Sequence, residues 1–187
     1  MPWEHELFAL LDDLEGQAAA AWEADREAEL ADRARSEYGA VTLASRLMAS
    51  RGQVVALDLP HLGRIEGRLD RVASEWCLLS GTGQDWLVPL GAVVGVRGAS
   101  ARSVPEVAWS PVDRLGLRAA LRRLAEAGER CLVHLTDGTR HEAYVDRVGA
   151  DFADCRTAGD APAGVLLVPF SALVAVQSRE DQVASTS

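Results

Sequence analysis

The chain has 187 residues, yet it contains no lysine, no asparagine and a single isoleucine, Ile65. Its 19 basic residues are therefore all arginine, a bias that we attribute to a GC-rich genome rather than to a functional demand. The sequence also lacks an apolar run long enough to span a bilayer and a basic leader followed by an apolar segment. We therefore expect a soluble, cytoplasmic protein with no membrane partner.

Cysteine is scarce as well, with Cys77, Cys131 and Cys155 as its three occurrences. An odd number of cysteines without a CxxC pair or paired spacing argues against both a disulfide framework and a zinc site. We interpret the three thiols as structural, and we expect neither a metal nor another cofactor.

The motifs of the common enzyme classes are missing too. The four histidines (His5, His61, His134 and His141) have no HExxH-type spacing, and the sequence contains neither GxSxG nor a phosphate-binding glycine loop. We therefore expect a protein that is not an enzyme. An enzyme with an unrecognised site in a cleft between the two halves of the chain remains an alternative.

What the sequence does contain is an internal repeat. When the two copies are offset by 76 positions, the pattern of residues 52–98 returns at 129–178, with Asp70 falling on Asp146. Each copy reads as five short strands with period-two alternation, punctuated by Gly, Pro and Ser, which is typical of small barrels. A short helix precedes each copy, at 42–50 and from 112 to Gly128, and Asp113 is the predicted N-cap of the second helix.

The predicted fold class is therefore α+β, with an acidic N-terminal helix followed by two small five-stranded β-barrels. The expected boundaries are an acidic amphipathic helix at 1–38, a first barrel with its leading helix at 41–98, a linker at 99–111, a second barrel with its leading helix at 112–178 and a flexible tail at 179–187.

The N-terminal segment carries most of the charge. Residues 1–37 hold eleven acids against three arginines, a net of −8 out of −9 for the whole chain. Its apolar residues follow heptad spacing, which predicts a coiled-coil seam and a homodimer through this helix. The alternative is a helix that packs on its own barrels. The seam residues are Trp3, Leu7, Leu10, Leu14, Ala21, Ala24 and Ala28.

A basic segment follows the first copy, since residues 97–130 carry seven arginines against four acids. Arg114, Arg118 and Arg122 are spaced to lie on one face of the predicted second helix. Guanidinium groups match phosphate geometry, so this face is a candidate site for phosphate or for an acidic protein partner. A merely solvated face, or one that docks the acidic helix, is the alternative. The candidate residues are Arg97, Arg102, Arg114, Arg118, Arg122 and Arg123.

The motifs Gly67-Arg68-Leu69, Glu75-Trp76 and Val96-Arg97-Gly98 resemble those of the Sm and Sm-like (Hfq-like) proteins, whose small barrels are also SH3-like. The whole chain resembles a family of uncharacterised proteins from high-GC Gram-positive bacteria with tandem barrels of this kind. Where Sm proteins read uridine with a loop asparagine, this chain has Cys77 and Ala153. We therefore expect a non-enzymatic interaction or assembly module, and a nucleic-acid-associated regulator that uses the Arg face is the second hypothesis.

Overall fold

The computed structural model describes residues 2–158 and 164–178, so the predicted tail at 179–187 lies outside the described residues. The chain divides into two compact units, Met1–Val41 and Thr42–Ser187. The first unit is helix α1 (Pro2–Gly39). Its sequence is rich in Ala, Glu, Leu and Arg, the residues of high helix propensity.

The second unit begins with helix α2 (Leu43–Met48), which is fixed by a capping box. The Ser45 N–H donates to Thr42 Oγ1 at 3.1 Å, and the Thr42 N–H donates to Ser45 Oγ at 3.0 Å. Five strands follow this helix: β1 (Val54–Leu59), β2 (Gly63–Val72), β3 (Trp76–Ser80), β4 (Asp85–Pro89) and β5 (Gly95–Arg97). Helix α3 (Leu117–Ala127) then precedes β6 (Arg130–Leu135), β7 (Arg140–Val148), β8 (Phe152–Thr157), β9 (Val165–Pro169) and β10 (Leu173–Ser178).

All ten strands form one open antiparallel sheet in the order β5-β1-β2-β3-β4-β10-β6-β7-β8-β9. The prediction of two closed five-stranded barrels is therefore wrong, although a β-rich α+β fold with an N-terminal helix is confirmed. The reason lies at β4, where Leu87 pairs with Val176 and Trp86 pairs with Gln177 of β10. This pairing uses the edge of β4 that a closed first barrel would need for β5.

The two halves of the sheet follow the same local order, β5-β1-β2-β3-β4 and β10-β6-β7-β8-β9. Each half has a register shift in its long strand, between Leu69 and Arg71 in β2 and between Val145 and Arg147 in β7. The extra residue at both places is an aspartate with a partner on the next strand. Asp70 accepts from the Ser80 hydroxyl, and Asp146 accepts from the Arg156 guanidinium at 3.0 and 3.1 Å.

Two hydrophobic cores lie against this sheet, and β4 and β10 contribute to both. Val174 and Ala175 of β10 pack in the first core, whereas Leu87 of β4 packs in the second. Each fully buried Leu or Val stabilises the fold by about 1.5–3 kcal/mol relative to an exposed one. Because each half of the sheet places side chains in the core of the other half, the stabilities of the two halves are coupled. The most deeply buried large residues are Leu47, Leu57, Leu69 and Leu79 in the first core and Leu121, Val133 and Cys155 in the second.

Helix α3 starts later than the sequence predicts. Residues Val112–Arg114 form a single 3₁₀ turn, and Gly116 rather than Asp113 is the N-cap. The missing side-chain cap comes from the loop between β2 and β3, because the Leu117 N–H donates to Glu75 Oε2 at 2.9 Å. The helix ends at Gly128, which has the left-handed conformation (φ 63°) that favours glycine at this position, as the sequence predicts.

Candidate functional site

An apolar cavity of about 510 Å³ lies between α3, strands β3 and β4 and the turn that leads into α3. We call it the α3 groove. Its side chains are mostly aliphatic or aromatic, and Val112 and Leu115 beside it are 56% and 48% exposed. Apolar side chains around a cavity open to solvent mark a surface that can bury a partner. The groove is lined by Val72, Trp76, Leu78, Leu87, Val112, Leu115, Ala119, Ala120 and Leu124, together with the charged residues Arg71, Asp113 and Arg123.

Hydrogen bonds between distant segments fix the shape of the α3 groove. The Trp76 Nε1–H donates to the Leu115 carbonyl at 2.8 Å, which ties the turn before α3 to β3. A Cβ at Gly116 would lie only 2.7 Å from Glu75 Oε2, so a larger residue here would displace the carboxylate that caps α3. Asp113 is held by Ser110 at 2.7 Å and by Arg51 at 3.4 Å. The groove is therefore built from side chains with fixed positions.

The charge around the α3 groove is mainly positive. Arg71, Arg118 and Arg122 are exposed, and none of them forms an ion pair within the described ranges 2–158 and 164–178. Arg123 pairs with Glu126 at 2.8 Å, but the Arg123 side chain is 85% exposed and such surface pairs contribute little. Two guanidinium groups, those of Arg71 and Arg123, thus line the groove with weak or no compensation, while Arg118 and Arg122 lie elsewhere on α3.

The structure does not bring the predicted arginines together on one helix face. Arg114 lies on the 3₁₀ turn, so the prediction that it shares a helix with Arg118 and Arg122 is wrong. Its Nη2 donates to the carbonyls of Glu106 and Val107, both at 3.2 Å. Arg118, Arg122 and Arg123 are on α3, whereas Arg102 is exposed in the segment after β5.

Arg97, the remaining candidate, is on β5 and is engaged by Asp58 at 3.4 Å. The same carboxylate accepts from Arg64 Nε at 2.8 Å, and this hydrogen bond, followed by the charges of Arg64 and Arg97, holds the pKa of Asp58 below its usual value. Arg97 is therefore part of a cluster of charged residues at the edge of the sheet. It lies outside α3, and its acidic partner differs from that of Arg123.

Helix α1 carries the predicted dimerisation seam. Of these residues, Leu14, Ala21 and Ala28 are exposed, whereas the side chains of Trp3, Leu7, Leu10 and Ala24 lie outside the described set. Further large apolar residues of α1, which the seam does not include, are also exposed: Phe8, Leu30, Tyr38 and Trp22, the last at 80%. Large apolar side chains left in water on one helix are the usual signature of a missing partner surface.

The cysteines offer no reactive thiol. Burial raises the pKa of Cys77 to about 12. Burial, with the neighbouring Cys155, raises the pKa of Cys131 to about 11, and burial followed by the charges of Asp154 and Asp146 raises that of Cys155 to about 11. Thiols with such values are protonated at neutral pH and are poor nucleophiles. Among the described residues, no three His, Cys, Asp or Glu side chains are grouped to hold a metal ion.

Sequence reasoning missed the α3 groove, because its wall combines residues from β2, β3, β4 and α3 that are far apart along the chain. The α3 side of this wall falls within the helix predicted from 112 to Gly128, but no local pattern paired that helix with the strands opposite it. No helix within the described ranges is both long and apolar enough to cross a bilayer.

No protein-family model matches the chain, and no curated protein matches it.

Proposed function

We propose that the protein is a non-enzymatic, cytoplasmic assembly module that forms a homodimer through helix α1. The observation that carries this proposal is the exposure of large apolar residues along α1, above all Trp22 at 80% and Phe8 at 63%. Burying such side chains against a partner releases apolar surface from water, at roughly 25 cal/mol per Å². The resemblance to Sm-like proteins stays a prediction, and it points to the same class of function.

The charge of α1 limits how two copies can meet. Residues 1–37 carry a net −8, so a parallel pair of these helices would place like charges side by side. An antiparallel pair, or a contact with arginine-rich surface, avoids most of this repulsion. The predicted seam from Trp3 to Ala28 and the exposed Trp22 lie on the same helix, so either arrangement buries apolar surface of α1.

A single substitution tests the role of α1. Trp22→Glu places a charge at the most exposed large apolar residue, so we expect the intact chain to dissociate from dimer to monomer in size-exclusion chromatography with light scattering. Ser36→Glu adds the same charge elsewhere on α1, where the side chain is also exposed, and should leave the dimer intact. If both variants stay dimeric, α1 is not the interface; if both become monomers, the added charge on α1 rather than the loss of Trp22 breaks the dimer.

The second candidate function is a nucleic-acid-associated regulator, favoured by Arg118 and Arg122 of α3, which are exposed and have no ion-pair partner among the residues that the structure describes. Contacts of arginine with phosphate alone would give binding that falls steeply with salt and does not distinguish sequences. We expect no preference for uridine-rich RNA over other single strands in mobility-shift assays at low and high salt. A salt-resistant, micromolar preference for one sequence would contradict this expectation, because contacts between arginine and phosphate alone cannot give it.

A further inference from the structure

We propose that the Trp22 region of α1 from one copy of the chain occupies the α3 groove of a second copy, so that the dimer is held by two reciprocal helix-groove contacts. The inference rests on the proposed function and names the surface that α1 contacts in the partner. It joins two features that are otherwise unexplained, namely an acidic helix with exposed large apolar residues and an apolar groove with arginines around it.

The α3 groove has the properties of a receptor for an amphipathic helix. Its volume of about 510 Å³ falls within the range of sites that enclose apolar groups. The Trp76–Leu115 hydrogen bond and the Glu75 cap on α3 fix its walls before any partner arrives, which lowers the entropy cost of binding. Helix-in-groove recognition uses one or a few large apolar anchors on a helix face.

Trp22 is suited to be that anchor. It is the most exposed of the large apolar residues described on α1, and buried tryptophans are the side chains that most often dominate interface energies. Its surroundings are strongly acidic, because residues 22–32 hold five acids against one arginine. The segment thus presents an aromatic ring with carboxylates around it.

Charge complementarity selects the groove as the partner surface. An α1–α1 contact would bring two segments of net −8 together, whereas the groove has two arginines, Arg71 and Arg123, against one acid, Asp113, in its lining. Opposite charges around an apolar anchor favour association and fix orientation. Twofold symmetry then gives each chain one donated helix and one filled groove.

The test uses two variants of the full chain that disable opposite sides of the same contact. Trp22→Glu removes the anchor, and Ala120→Trp fills the groove, in which Ala120 is half-buried. Each variant alone loses both reciprocal contacts. We therefore expect the dissociation constant of its dimer to rise about 30-fold or more, so that each variant is a monomer at micromolar concentration. In an equimolar mixture, Trp22 of the Ala120→Trp variant can still enter the open groove of the Trp22→Glu variant. One of the two contacts is then intact, so we expect dimers to reappear in light scattering.

Controls separate loss of the contact from loss of folding. Ala101→Trp adds the same bulk at an exposed position away from the groove and should remain dimeric. The double variant Arg71→Glu/Arg123→Glu changes only exposed side chains and should weaken the dimer without unfolding the protein. Ionic strength adds an independent readout, because salt should weaken a contact between acids and arginines and should strengthen a contact between two acidic helices.

Three results would overturn the inference, and they are distinguishable. If Trp22→Glu is monomeric while Ala120→Trp and the double arginine variant stay dimeric, α1 forms the interface but the groove is not its partner, and the proposed function stands. If the two monomeric variants do not associate on mixing, the groove of one copy does not receive the Trp22 region of the other, and the inference fails while a dimer through α1 stays open. If the unmodified chain is a monomer, the inference and the proposed function both fail.

Discussion

At the scale of single residues, the buried thiols give the clearest pH dependence. The pKa values of Cys77, Cys131 and Cys155 are raised to about 11 or 12 from the value of 9.0 for a free thiol. The contribution of the neutral thiols to the unfolding free energy is fully present below pH 9. It is lost as the pH rises toward 11 or 12, because the unfolded chain releases these protons at lower pH than the folded one. A shift of two units corresponds to roughly 3 kcal/mol per thiol, so we expect urea denaturation to show a steep fall in unfolding free energy between pH 9 and 11.

Few other side chains titrate between pH 9 and 11, because the chain has no lysine and only two tyrosines. The matched control is a variant in which all three cysteines are replaced by alanine. It should be less stable at pH 7, where it has lost buried side chains, but its unfolding free energy should change little between pH 9 and 11. An equally steep fall in the control would assign the transition to groups other than the thiols.

At the scale of elements, the first turn of α3 depends on a side chain from outside the helix. Glu75→Ala removes the carboxylate that accepts from the Leu117 N–H at 2.9 Å, leaving Gly116 without a side-chain cap. Loss of an N-cap typically costs about 1 kcal/mol, and the negative charge near a helix N-terminus adds some tenths more. We expect a drop of about 1–1.5 kcal/mol in the unfolding free energy measured by urea denaturation.

The comparison for this variant is Glu66→Ala, which removes an exposed glutamate with no ion-pair partner among the described residues. Such a surface change should stay within about 0.5 kcal/mol. If both alanine variants are equally stable, the Glu75 contact contributes nothing and α3 is fixed by packing alone.

Element positions were largely predictable from sequence, but their partners were not. Alternation and turn residues predicted five strands in each copy, and each half of the sheet has five, since these signals are local. Whether β4 pairs with β5 or with β10 depends on tertiary contacts of Trp86 and Leu87, and no local pattern encodes that choice. For the same reason the α3 groove, whose residues come from several elements, could not be read from spacing.

At the scale of the second unit, the single sheet implies cooperative unfolding. The pair β4–β10 joins the halves, and the two strands exchange side chains between both cores. A buried polar contact adds to this junction, since His134 Nε2 lies 3.0 Å from Gln177 Oε1 and Gln177 Nε2 donates to Gln84. We expect native-state hydrogen exchange to give one common opening free energy for the central amides of β1–β3 and β6–β8. Two values several kcal/mol apart would show that the halves unfold independently.

At the scale of the whole molecule, the central claim is that the chain assembles through α1. Light scattering on the intact protein over a series of micromolar concentrations measures this directly. The expected mass is twice the 20.0 kDa of the chain, with dissociation on dilution and with added salt. A constant mass of 20.0 kDa at every concentration and ionic strength would contradict the account, because the exposed apolar residues of α1 would then have no partner copy.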